Sequence, residues 1–173
     1  TLPKLISWTE HATPGVKYFS GTAEYAVTFA VPPALVAPGR VLMLELGRVK
    51  NLAEVWVNER RVGVLWKEPF RAEVTGLVRP GRNVLRVKVT NLWPNRLIGD
   101  EQLPPEPGVE WNGIGVAGSL KRWPEWLERG LPRPKTGRVA FSTWRFFGMD
   151  SSLLESGLLG PVTLRSAGPV LAK

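Results

Sequence analysis

Residues 53–90 read AEVWVNERRVGVLWKEPFRAEVTGLVRPGRNVLRVKVT, and their rhythm decides the fold. Ala53, Val55 and Val57 alternate with Glu54, Trp56 and Asn58, the period of a strand with one face in water. Residues 62–66 and 70–74 repeat the pattern, the second with Phe70, Ala72 and Val74 on one side. In residues 83–90, Leu85, Val87 and Val89 face one way, and Arg86, Lys88 and Thr90 the other. Residues 58–61 read as a hairpin connection between two such runs. Arg79-Pro80-Gly81-Arg82 reads as a type II turn, because proline presets φ at its second position and glycine supplies the positive φ of its third.

The same period extends in both directions. Residues 21–31 place Ala23, Tyr25, Val27, Phe29 and Val31 on one face, and Pro32-Pro33 ends the run. Residues 41–46 line up Leu42, Leu44 and Leu46. Strand periodicity returns at 138–146 and 161–166. Between them and residue 90 lies one long Trp- and Pro-rich loop, 92–136, in which only 124–129 has a helical signature, with proline in the first turn and Gly130 as a stop. Residues 148–160 form a second loop. Eight or so short strands without a long helix predict an all-β fold, an antiparallel β-sandwich of the jelly-roll kind, with an immunoglobulin-like sandwich as the alternative.

The chain of 173 residues is the size of a single domain, 1–173, with 43% hydrophobic residues and therefore a substantial core. It has no cysteine, which excludes disulfides and thiolate metal sites. No apolar run reaches the roughly 18 residues of a membrane span, so no membrane is expected as a partner. The formal charge of +8 is scattered, with no basic run longer than Arg60-Arg61 or Lys121-Arg122, and reads as a solvated surface instead of a nucleic-acid patch. The opening TLPKLISW lacks a charged segment ahead of an apolar one. The expectation is a domain cut from a longer polypeptide.

The chemistry concentrates in residues 91–104, NLWPNRLIGDEQLP. Trp93, Asn95, Arg96, Asp100 and Glu101 fall in one short loop, an indole beside a fork of polar groups. Trp66, before Lys67-Glu68-Pro69, and Trp144, which alternates with Phe141 and Thr143, are further candidate platforms. Sugars offer C–H faces that stack on indoles and hydroxyls that pair with Asn, Asp, Glu and Arg. Carbohydrate-binding candidates are therefore Trp66, Trp93, Asn95, Arg96, Asp100, Glu101 and Trp144. The competing reading makes these tryptophans loop-packing residues and the carboxylates partners for arginines such as Arg96. A hydrolytic pair of Asp100 with Glu101 or Asp150 needs separations of roughly 5–10 Å. A Ser–His–Asp set from Ser151 or Ser152, His11 and Asp150 has no nucleophile-elbow context. No phosphate loop, metal-ligand spacing or cofactor motif is present, and no catalytic residue is expected.

The pieces Val55-Trp56-Val57-Asn58, Val62-Gly63, Pro69-Phe70, Val74-Thr75 and Pro80-Gly81 with Asn83, Leu85 and Val87 resemble the sugar-binding, galactose-binding-like jelly-roll domains of glycoside hydrolase family 2. Glu59 departs from the glycine usual there, which points to a different turn. TPGVKYFSGTAEY (13–25), LELGRVKNLAEVWVN (44–58), NLWPNRLIGDEQLP, FSTWRFF (141–147) and SGLLGPVTL (156–164) resemble the C-terminal domain of α-L-rhamnosidase-type enzymes, family 106. The resemblance implies a non-catalytic domain of a larger multidomain glycoside hydrolase, exported to the periplasm or the exterior. Its partners are then an oligosaccharide or polysaccharide and the catalytic domain of the parent. Two roles follow: a carbohydrate-binding module that targets the parent to polysaccharide, or a structural domain packed against the catalytic one.

Overall fold

The computed structural model describes residues 4–168, which form two compact units. The first comprises residues up to Ser7, Gly21–Leu92 and Glu155 onward, and holds every strand among the described residues. These are β1 (Thr22–Val31), β2 (Val41–Glu45), β3 (Arg48–Lys50), β4 (Leu52–Val57), β5 (Arg60–Leu65), β6 (Arg71–Glu73), β7 (Gly81–Thr90), β8 (Gly157–Gly160) and β9 (Thr163–Ala167). All pairings between them are antiparallel. One sheet has the order β1-β7-β4-β5 and a second β6-β2-β9, while β3 and β8 form a two-stranded ribbon. This is the all-β sandwich that the alternation predicts.

The period-two pattern becomes the core. Ala53, Val55 and Val57 of β4, Leu85, Val87 and Val89 of β7, and Leu42 and Leu44 of β2 are all buried. On the opposite face Trp56 lies beneath Arg86 and Lys88, whose charged heads sit 5.3 and 5.2 Å from its ring centroid. At such distances a cation is drawn to the negative face of the ring.

Two asparagines fix the turns that end β4 and start β7. Asn58 donates to the Leu77 carbonyl at 2.9 Å and to Asn83 Oδ1 at 2.7 Å, and accepts from the Val84 N–H. Asn83, fully buried, also accepts from the Arg79 N–H at 3.0 Å and donates to the carbonyls of Arg79 and Gly81. Gly81 adopts φ +79°, as the third position of a type II turn requires. Asn58 and Glu59 both have positive φ, 49° and 65°. The β4–β5 hairpin thus keeps the left-handed two-residue turn that glycine favours, although Glu59 stands in that place.

The second unit comprises Trp8–Ser20 and Trp93–Leu154. It contains α1 (Pro14–Lys17), α2 (Pro94–Asp100) and α3 (Glu125–Glu128). Three expectations change here. Residues 94–100, read as loop, are helical, with Pro94 at the first turn, where its missing N–H costs nothing. Among the described residues, helices thus number three short ones instead of one. Residues 138–146 form no strand: the N–H groups of Val139 and Ala140 go to the Asp100 carboxylate, and Trp144 makes only an isolated bridge to Ser119. The helix expected at 124–129 is a single turn.

In the first unit, β3 and β8 were not foreseen. Just before β3, Gly47 bridges Gly160, and a Cβ on Gly47 would come within 2.3 Å of the Gly160 carbonyl.

Candidate functional site

Five of the seven residues that the sequence nominates fall on or next to α2. Arg96 and Asp100 lie one turn apart and pair at 3.0 Å. Asp100 stands at the C-terminal end of its helix, where the macrodipole disfavours an anion. It is held there by the Arg96 guanidinium and by the N–H groups of Val139 and Ala140, at 3.0 and 2.7 Å. Its side chain is 3% exposed.

Glu101 is as fully engaged. One carboxylate oxygen takes Arg138 Nη1 at 3.0 Å, and the other takes Arg145 Nε at 2.7 Å and Nη2 at 2.6 Å. Both guanidinium carbons lie 5.7 Å from the centre of the Trp111 ring, so the indole and the carboxylate share two cations. Arg138 further donates to the carbonyls of Pro104 and Leu103. A third buried carboxylate, Glu106, is held by Arg133, which also donates to the carbonyls of Val139 and Ala140.

Asn95 acts as a backbone partner. Its amide donates to the Leu154 carbonyl at 2.7 Å and accepts from the Leu154 N–H at 2.8 Å. Trp144 donates its indole N–H to the Gly115 carbonyl at 2.6 Å and tilts against Phe146, with centroids 6.5 Å apart. The recess among Leu97, Glu101, Trp111, Arg138, Trp144 and Phe147 measures about 30 Å³. That is room for a water molecule and not for a sugar ring.

Trp93, which precedes α2, is 64% exposed. Trp66 belongs to the first unit, directly after β5, and is 68% exposed with the Lys67 ammonium 5.4 Å from its ring centre. The structure therefore brings Arg96, Asp100 and Glu101 into arginine-rich ion pairs, ties Asn95 and Trp144 to main chain, and leaves the indoles of Trp93 and Trp66 in solvent.

Arg133, Arg138, Arg145 and Glu106 complete the network, and sequence reasoning did not single them out. Their partners are 27 to 44 residues away, and one sequence carries no local mark of such a pairing. Of the catalytic set considered above, His11 Nδ1 accepts from the Thr13 N–H, and Ser151 Oγ accepts from the Gly148 N–H. Among the described residues no three His, Cys, Asp or Glu side chains are grouped so as to hold a metal ion.

Comparison with known proteins adds three findings. A family model described as glycosyl hydrolases family 2, sugar binding domain, matches residues 8–124. Over 161 residues, 93% of this chain, the sequence is 47% identical to a protein of Formosa agariphila provisionally named a beta-glucuronidase. A solved rhamnosidase structure from Novosphingobium sp. PP1Y is similar over 96% of the chain, with 34% identity and a TM-score of 0.73. The chain spans 13% of the length of each of these two proteins. The family 2 and rhamnosidase resemblances read from the motifs thus both have counterparts.

Proposed function

This chain belongs to the sugar-binding domain family of family 2 glycosyl hydrolases, and from that premise we propose that it recognises carbohydrate, without cleaving it, on behalf of a larger glycoside hydrolase. In this reading the 173 residues work as one accessory domain, and the parent acts on a glycoside of the class suggested by the rhamnosidase and glucuronidase names of its relatives. The observation that carries the reading is a contrast. The buried carboxylates of the second unit, Asp100, Glu101 and Glu106, are committed to arginines and main-chain donors. The indoles of Trp66 and Trp93 stand in solvent. Carboxylates committed to internal arginines and main-chain N–H groups are not presented to a bound sugar, either to protonate a glycosidic oxygen or to attack an anomeric carbon, whereas an exposed indole offers a flat apolar face to a pyranose.

Titration calorimetry of the chain against galactose-, rhamnose-, xylose- and glucose-based oligosaccharides and polysaccharides tests this. Saturable heat that disappears in Trp66→Ala or Trp93→Ala is the expected result. Silence across the panel from folded protein would overturn it.

A second reading is favoured by a different observation. Ile114, Val116, Phe146 and Met149 of the second unit are exposed apolar side chains. Ile114 also packs against Gly148, and Gly115 is bonded to both Arg145 and Trp144. Such a face suits a domain that packs against the catalytic part of its parent. Tight association with a separately produced catalytic domain, lost in Val116→Asp, is the outcome that this reading expects.

A further inference from the structure

A cleft of about 530 Å³ opens at one end of the three-stranded sheet, lined by Glu45, Gly47, Arg48, Glu68, Pro69 and Arg71. Its volume falls within the roughly 300–1,000 Å³ of small-molecule sites. The backbone shapes it. The Leu46 N–H donates to the Phe70 carbonyl at 2.9 Å, which holds the start of β6 against the end of β2, and the Arg71 N–H donates to the Pro69 carbonyl at 2.8 Å in a tight local turn. Phe70 is buried and anchors the loop that carries Glu68 and Pro69. Gly47, confined by the backbone of Gly160, puts no side chain at the rim. Glu45 and Arg71 are opposite residues in the β2–β6 ladder, so their side chains leave the same face of the sheet.

The charges of the cleft divide into two groups. Glu45 pairs with Arg165 at 3.0 Å, and Arg48 pairs with Glu155. Glu68 and Arg71 are exposed, and neither side chain has an ion pair or hydrogen bond among the described residues. One is a fork of two acceptors and the other a fork of donors. Adjacent hydroxyls of a pyranose match both, since each hydroxyl oxygen can accept from the guanidinium and each O–H can donate to the carboxylate. The free pair sums to zero charge, which suits a neutral sugar. The Pro69 ring, which lines the cleft, supplies apolar surface for the C–H face.

We propose that this cleft is the saccharide site of the chain, and that it holds a neutral sugar residue with vicinal hydroxyls between Glu68 and Arg71, against the Pro69 ring. The assignment rests on the carbohydrate-recognition reading and adds to it a place and a ligand class.

The test is an amide-resolved NMR titration of the 15N-labelled chain with neutral galactose-, rhamnose-, xylose- and glucose-containing oligosaccharides, and with a uronic acid oligosaccharide as the charged arm. With at least one neutral oligosaccharide, the shifts are expected to gather at residues 45–48 and 66–71. Glu68→Gln and Arg71→Ala are each expected to weaken binding roughly tenfold or more. Both altered side chains are solvent-exposed, and the dispersion of each variant's spectrum checks that it is folded. Saturable binding with shifts elsewhere and full affinity in both variants would overturn the location while the sugar-binding reading stands. Preference for the uronic acid oligosaccharide would overturn the ligand class. Absence of saturable shifts with every oligosaccharide would overturn both readings.

Discussion

Glu59 holds a backbone conformation, φ 65°, in which a Cβ is crowded by roughly 1–2 kcal/mol. Glycine there removes that crowding, and the greater freedom of glycine in the unfolded chain returns about 0.5–1 kcal/mol of it. The contact of Glu59 with Arg86 at 3.1 Å is made by an exposed carboxylate and contributes little. Glu59→Gly is therefore expected to raise stability by about 0.5–1 kcal/mol in urea unfolding. A lowered midpoint would mean that the Arg86 contact outweighs the strain. Asn83→Ala is expected to act in the opposite direction and more strongly. It strips partners from the Arg79 N–H, the Asn58 amide and two carbonyls in a buried turn, a loss of about 3 kcal/mol or more by the same assay. Both asparagines are visible in the sequence as letters of a motif. Their mutual bond, across 25 residues, is not, because side-chain amides that serve as turn clamps leave no periodic trace.

The elements divide by how far away their partners are. β1, β4 and β7 were legible because a sandwich buries every second residue, and that rule is written within each strand. β3 and β8 are three and four residues long, too short for a period to declare itself. Residues 138–146 alternate like a strand and yet are not one, since Asp100 accepts the N–H groups that a neighbouring strand would have taken. The same distant pairing hid the role of Glu101. Truncating it leaves Arg138, whose side chain is 7% exposed, as an uncompensated buried cation. Glu101→Ala is accordingly expected to destabilise the second unit by about 3–5 kcal/mol. Near-UV circular dichroism from the tryptophans of that unit should melt early while the far-UV β signal persists. Coincident melting of the two signals would show that the units share one transition.

At the scale of the whole molecule, the nominated residues part into two sets with different chemistry. Those in α2 and after it brace a segment of the chain, and Trp93, just before α2, and Trp66 face solvent. The sequence could name polar and aromatic candidates but could not sort them, because commitment to an internal partner is decided by residues tens of positions away. The strand order has one more consequence. β1 ends its sheet: its ten residues pair with β7 on one side, and no ladder partner occupies the other side among the described residues. Glu24 is its single charge, and Val27 on its inward face remains 53% exposed. An uncapped edge of this length and neutrality is a template on which a second copy can nucleate a fibril-like stack. Purified protein is thus expected to lose monodispersity as its concentration rises, and Thr28→Lys, a charge placed midway along that edge, to keep it monomeric in light scattering at concentrations where the unmodified chain has begun to aggregate.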